Sequence, residues 1–181
     1  QAAEAKIGAS NFKASGRYNY ADRSFSSNFS EFKLQLSELL PLIRLVDSSY
    51  ATVLRQGELS GAIVAERAVG KDVTASGRVL GQNIVGFSNF SIKKIELEQF
   101  EIRPTQQGQF AINAKLNLAE AKITDGEFNY QVGSAQGPLA YVTSQNNSEL
   151  SGQIHLRGFS YADGLTQLSN VNAKLSPLKV L

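Results

Sequence analysis

Apolar or small residues alternate strictly with polar ones through most of this chain, and a period of two is a strand pattern that a helix cannot sustain. Phe12, Ala14, Gly16, Tyr18 and Tyr20 alternate with Lys13, Ser15, Arg17 and Asn19. The same pattern recurs over Val73–Val79, Phe110–Leu118, Phe128–Val132, Leu150–Leu156 and Val171–Leu175. Each run predicts a strand with one apolar and one wet face. Two stretches change phase: Phe29 is followed by Phe32, Leu34 and Leu36, and Ile95 and Leu97 by Phe100 and Ile102. A slip of this kind predicts a β-bulge or a bend. Asp125-Gly126 and Asp163-Gly164 read as turns, and Ala135 to Ser148 reads as the longest polar connection, a mobile loop.

One segment has a different period. Leu39, Ile43, Val46, Tyr50 and Leu54 fall at helical spacing, which predicts one helix of roughly three to four turns. Ser37 is a candidate cap with Glu38 in the first turn, or else Pro41 is the first helical residue, and Gln56-Gly57 is the stop. With Arg44 and Asp47 among its polar positions, the helix is expected to cover one end of the sheet, with Leu39, Ile43, Val46 and Tyr50 buried.

Composition narrows the class. Apolar residues make up 42% of the 181, too many for disorder, and charged residues only 19%. The net charge is +2 with the bases scattered, so no nucleic-acid footprint is predicted. No run reaches the ~18 apolar residues of a membrane span. The reading is one β-rich domain over 1–181, a segment of a longer protein whose membrane anchor lies outside it.

A short motif, Ser-Gly followed by any residue and then an apolar one, recurs at Ser15-Gly16, Ser60-Gly61, Ser76-Gly77 and Ser151-Gly152. Its glycine always falls on the apolar face. Either it permits strong coiling of the sheet or it leaves space on the inner face. Roughly ten strands then present apolar faces, and one helix hides about three or four of them. The rest must curl into an open trough or, alternatively, close as a barrel or pack as a β-sandwich. The expected fold is all-β with one short helix, a curled and mostly antiparallel sheet forming a trough.

The runs Glu58–Val64, Val73–Val79, Ile84–Phe87 and Ile95–Glu98, together with the Gly-punctuated strand leading into Leu39–Ile43, resemble the AsmA-like/TamB superfamily, its YdbH-like members above all. Gly158 to Leu175 is similar to a further repeat of the kind. The resemblance covers most of the chain. It implies a bacterial periplasmic protein anchored in the inner membrane, which carries phospholipid toward the outer membrane along an apolar groove. It brings no catalytic motif. The residues expected to line the groove are Tyr18, Ile63, Val79, Ile112, Leu116, Tyr130, Ile154 and Leu156. The expected partners are phospholipid and an envelope protein that adds a β-strand at an open edge, with Pro177 as the one brake on extension at the C-terminal end.

Chemistry-bearing clusters are scarce. There is no cysteine, and the single histidine, His155, sits on the wet face of its strand, so zinc and triad chemistry lack their parts. Glu96 and Glu98 share a face and are expected to meet water. A two-carboxylate glycosidase site would need an aromatic sugar platform, and none accompanies them. No metal, cofactor or catalytic residue is expected. A structural or adhesive β domain with a sealed core is the alternative, and a carbohydrate-active enzyme the more distant one.

Overall fold

The computed structural model describes residues 2–46, 54–86, 89–105, 110–143 and 148–180. Along the chain lie β1 (Ala2–Ile7), β2 (Ser10–Asn19), β3 (Ser24–Gln35), α1 (Leu36–Val46), β4 (Leu54–Arg67), β5 (Thr74–Gly86), β6 (Phe90–Pro104), β7 (Phe110–Asp125), β8 (Phe128–Thr143), β9 (Ser148–Ala162) and β10 (Gln167–Val180). The strands form one ten-stranded sheet in sequence order, every neighbouring pair antiparallel. β1 and β10 are its two edges and do not pair with each other. The sheet is curled and open, which sets the barrel and the sandwich aside.

Cross-strand partners share a face, so the register shows which face each residue takes. One row runs Phe12, Phe32, Gly61, Val79, Leu97, Leu116, Gly137. A second runs Ala14, Phe29, Ile63, Gly77, Phe100. The apolar set of every strand therefore lies on one face, and the polar set makes the other.

Both predicted phase slips are bulges. The register of β3 against β2 and β4 shifts around Ser30 and Glu31, and that of β6 against β5 and β7 shifts around Gln99, whose φ is 51°. A larger irregularity crosses the sheet. Ladder pairing lapses at Gly57/Asn83, Asn83/Lys93, Lys93/Glu120, Glu120/Gly133, Gly133/Gly158 and around Asn170, in six successive strand pairs. Asn83, Glu120 and Asn170 hold φ of 50°, 50° and 53°, and Gly158 holds 63°. At this row the apolar set of each strand skips one extra residue: Gly81 to Ile84, Ile92 to Ile95, Leu118 to Ala121, Val132 to Ala135, Leu156 to Phe159. The skip keeps those residues on one face. The space beside Gly81 is filled by Ile84, Ile95 and Leu59 together. The row is a transverse crease across β4–β10.

The Ser-Gly glycines sit where strands approach closely. A Cβ on Gly61 would collide with the Arg78 carbonyl, and one on Gly77 with the Ala62 carbonyl. Their φ values of 156° and 157° lie where side chains are disfavoured. The space beside them is filled by neighbouring backbone, which favours coiling over spare room as their role.

Several expectations are corrected. Ala135–Thr143 is strand, part of β8, not loop; Gly137 is needed because a Cβ would strike the Gln153 carbonyl, and Pro138 shares the polar face with Lys115. Leu36 opens the helix and does not extend β3, and Ser37 and Pro41 lie inside the helix, not at its start. Leu54 belongs to β4; sheet pairing with Gly86 outweighs helical spacing there. Leu40, with Leu36, is the buried pair, while Leu39 is half-buried. The side chains of Ile43, Val46 and Tyr50 lie outside the described residues.

Candidate functional site: an uncovered apolar face

For a chain of 19.6 kDa, a folded globule exposes about 8,600 Å². This one exposes 12,030 Å². The excess follows from a single layer: apart from α1, which packs on the ends of β3 and β4, each strand contacts its sheet neighbours. The apolar face of β5–β10 therefore has no second layer among the described residues. Burial there comes only from curl and from side chains on adjacent strands, and most of the face is half-buried.

The predicted lining residues share this face. Ile63 lies between Phe29 and Gly77, and Val79 between Gly61 and Leu97. Ile112 lies between Ile102 and Tyr141, Leu116 between Leu97 and Gly137, and Leu156 between Ala135 and Ala173. Ile154, paired with Leu175, is 4% exposed, the deepest of the set. Tyr18 and Tyr130 lie farther out, near opposite ends of the strands. Tyr18 is 51% exposed and stacks edge-on against Tyr20, with ring centroids 4.7 Å apart. Sequence reasoning missed Phe100, Ala114 and Ala135, which are among the buried residues of this face. Their signal was present for Phe100 in the phase slip, and weak for the two alanines.

At the end of the strands next to the β7–β8 and β9–β10 turns, the lining becomes aromatic. Tyr130 pairs with Ile123 on one side and Tyr161 on the other, and Tyr161 with Leu168. The Tyr130 and Tyr161 rings are 5.2 Å apart, and Phe128 stacks on Tyr161 at 6.4 Å. The Tyr161 hydroxyl donates to Asp163 at 2.5 Å. That bond, with burial adding to it, pushes the phenol up to about 12. Asp163 is held below the usual carboxylate range by the same bond and by the amides of Leu165 and Thr166.

At the β1–β4 corner of the same end, α1 is fastened to the β1–β2 turn. The Glu38 carboxylate accepts from the Ser10 hydroxyl and from the amides of Ala9 and Ser10. These bonds, the Ser10 hydroxyl first, hold it below its ordinary value. Ser10 also accepts from the Gln35 amide and is 3% exposed.

The polar face carries the cross-strand ion pairs Lys13–Glu31, Lys33–Glu58, Arg78–Glu96 and Lys115–Glu98, and Lys94–Glu96 within β6. Glu96 corrects the expectation that both glutamates meet water. It is 4% exposed, covered by the Arg78 and Lys94 side chains. Burial pushes its carboxyl up, but hydrogen bonds and charge from both cations outweigh that and leave it low. His155 is exposed on this face. Among the described residues no group of His, Cys, Asp and Glu is arranged to hold a metal ion, and no helix is long and apolar enough to cross a membrane.

Compared with family models, curated proteins and solved structures, the chain matches none of them.

Proposed function

We propose that this chain is a segment of a lipid conduit in the bacterial periplasm, of the AsmA-like/TamB kind, which shields phospholipid acyl chains on its apolar face between the inner and outer membranes. It acts by desolvation and shape and is not an enzyme, and its membrane contact lies outside this segment. One observation carries the reading: a continuous apolar face spans the sheet and, over β5–β10, has no covering layer among the described residues. An acyl chain laid on such a face gains ~0.8 kcal/mol per buried CH₂, so a chain of ordinary length repays several kcal/mol of lost freedom. The outer edges of β1 and β10 have no strand partner among the described residues. They suit strand addition by an envelope partner or by the next segment. β10 continues past Pro177 to Val180, so that proline does not end the strand.

The sealed-core alternative would need a second layer, and α1 is the only helix among the described residues. A carbohydrate-active site at Glu96 and Glu98 would need free carboxylates, and both are ion-paired.

Native mass spectrometry of the purified chain is the test, with co-purified phospholipid expected. Ile154→Asp sets a charge in the deepest part of the lining, where solvation is poor, and loading should fall to background. Ile112→Asp, at a half-buried position easier to accommodate, should also reduce it. Two folded variants carrying as much lipid as the parent would overturn the proposal.

A further inference from the structure

The aromatic end of the face differs from the rest in charge as well as in shape. Although the chain as a whole is +2, there is no lysine or arginine between Lys122 and Arg157, and none between Arg157 and Lys174. The strand ends and turns that build this corner carry Asp125, Glu127 and Asp163. Asp125 pairs with Phe128 across the hairpin. Asp163 is bonded to Tyr161. A Glu127 carboxylate oxygen lies 3.5 Å from where a Cβ on Gly164 would be, so the two turns are in contact. The rings are not sealed: Phe128 is 44% exposed, Tyr130 36%, Ile123 48%, Leu168 44% and Leu165 fully exposed. Elsewhere on the face rings such as Phe12, Phe32, Phe100 and the Phe110–Tyr141 pair stand among aliphatic and small residues, and ion pairs of both signs lie on the opposite side.

We propose that the corner formed by Phe128, Tyr130 and Tyr161, with Asp163 and Glu127 beside it, is a docking surface for the ammonium headgroup of an amphiphile whose apolar chain lies along the sheet. Aromatic faces attract ammonium groups through the ring quadrupole, and quaternary ammonium is the ligand that clusters of such rings bind best. The choice of cation rests on charge complementarity: Asp125, Glu127 and Asp163 stand at this end of the strands, while Lys122, the flanking base of β7, pairs with Gln131 on the polar face, so an anionic headgroup is repelled where an ammonium is attracted. The Asp163–Tyr161 bond holds one ring and one carboxylate in fixed relation, so little ordering remains to be done on binding. Thiolate, metal and phosphate-cradle chemistry play no part. The inference rests on the proposed lipid-conduit function and adds a headgroup preference to it.

The probes are dodecyltrimethylammonium, dodecyl maltoside and dodecyl sulfate, identical in chain length and used below their micelle concentrations. Binding is followed by NMR of ring-labelled Tyr and Phe and of methyl-labelled Ile and Leu. The ammonium probe is expected to shift Phe128, Tyr130 and Tyr161 and to bind there about tenfold more tightly than the maltoside, with the sulfate weakest. Asp163→Asn and Phe128→Leu should each erase several-fold of that preference while leaving the Ile154 and Leu156 methyl shifts unchanged. Both positions are at least partly exposed, so the fold should survive, and amide exchange in β8 and β9 confirms it. Equal binding of all three probes at the rings, or an ammonium preference that persists in both variants, overturns the headgroup site alone. Binding along the Ile154–Leu156 stretch would then still support the conduit. No binding of any probe anywhere on the face overturns both.

Discussion

Two corners at the same end of this sheet are built from the same kind of strand and finish differently. At the β3–β4 corner, α1 lies over the apolar face, Leu36 is 2% exposed and Leu40 8%, and Glu38 pins the helix to the β1–β2 turn. At the β7–β10 corner no described residue forms a layer over the face, and the Phe128 and Tyr130 rings remain more than a third exposed. The strand pattern is equally amphipathic in both. What differs is whether the connection out of the strand supplies a second layer: β3 runs on into a helix, whereas β7 turns straight into β8 through Gly126 and Glu127. A single sheet leaves apolar surface open wherever its connections are too short to cover it.

The comparison is broken most directly by truncation. Leu36→Ala should cost about 2–5 kcal/mol, as for a fully buried leucine, and Phe128→Ala only about 1 kcal/mol, since roughly half of its area already meets water. Urea unfolding of the two variants measures both. Equal costs would mean that the β7–β10 corner is covered in solution.

Glycine replacement sharpens it. Gly77→Ala drives a Cβ into the Ala62 carbonyl on the strand that runs under the helix, and should cost about 1–3 kcal/mol. Gly133→Ala, on the uncovered side, meets the Arg157 carbonyl at 3.1 Å with no left-handed φ to maintain. It should cost less than about 1 kcal/mol, because a small strand shift relieves it. Thermal melts order the pair, and a reversed order would show that the crease is the tighter of the two places.

The smallest effect is in pH. The Glu38 carboxyl is depressed, so its contribution is present above its ordinary value of 4.5 and is lost as pH falls through its folded value. The Tyr161 phenol is raised to about 12 from 10.0, so its contribution is present below 10.0 and is lost as pH climbs through about 12. Asp163 is depressed as well, so both corners lose a contribution in acid, and the open corner loses a further one in alkali, each modestly because these groups are near solvent. Local amide exchange follows the first, and tyrosine absorbance the second. In Asp163→Asn the late-titrating phenol should return toward its ordinary value.

Much of this architecture is legible in the residues. Alternation locates most of the strands, and the Phe29–Phe32 and Leu97–Phe100 slips locate two bulges, because large side chains mark the phase on both sides. The crease is written in the same spacing but in fainter letters. Gly81, Ala121 and Ala135 flank it, and small residues mark a face poorly. Gly137-Pro138 misleads for a related reason: both are breakers by local preference, yet a coiled sheet uses one at a close approach and tolerates the other on its polar face. The helix is predicted too long because Leu54 keeps helical phase while its backbone is claimed by β5, a long-range pairing that no local window contains. Of the candidate lining, aliphatic positions are found by parity alone. That Glu96 is covered is not, since it depends on Arg78 arriving from the adjacent strand.

The crease has a mechanical side. Force passes between neighbouring strands through their ladder hydrogen bonds, and along this one line six successive pairs lack a rung. The Lys93–Glu120 ion pair, at 2.5 Å, spans one of the gaps, and the others have only side chains and the covalent chain to carry strain. Bending stiffness therefore falls along this transverse line, as it does in scored card. A sheet held at its two ends and flexed between them would give along it, and the curvature of its apolar face would change there.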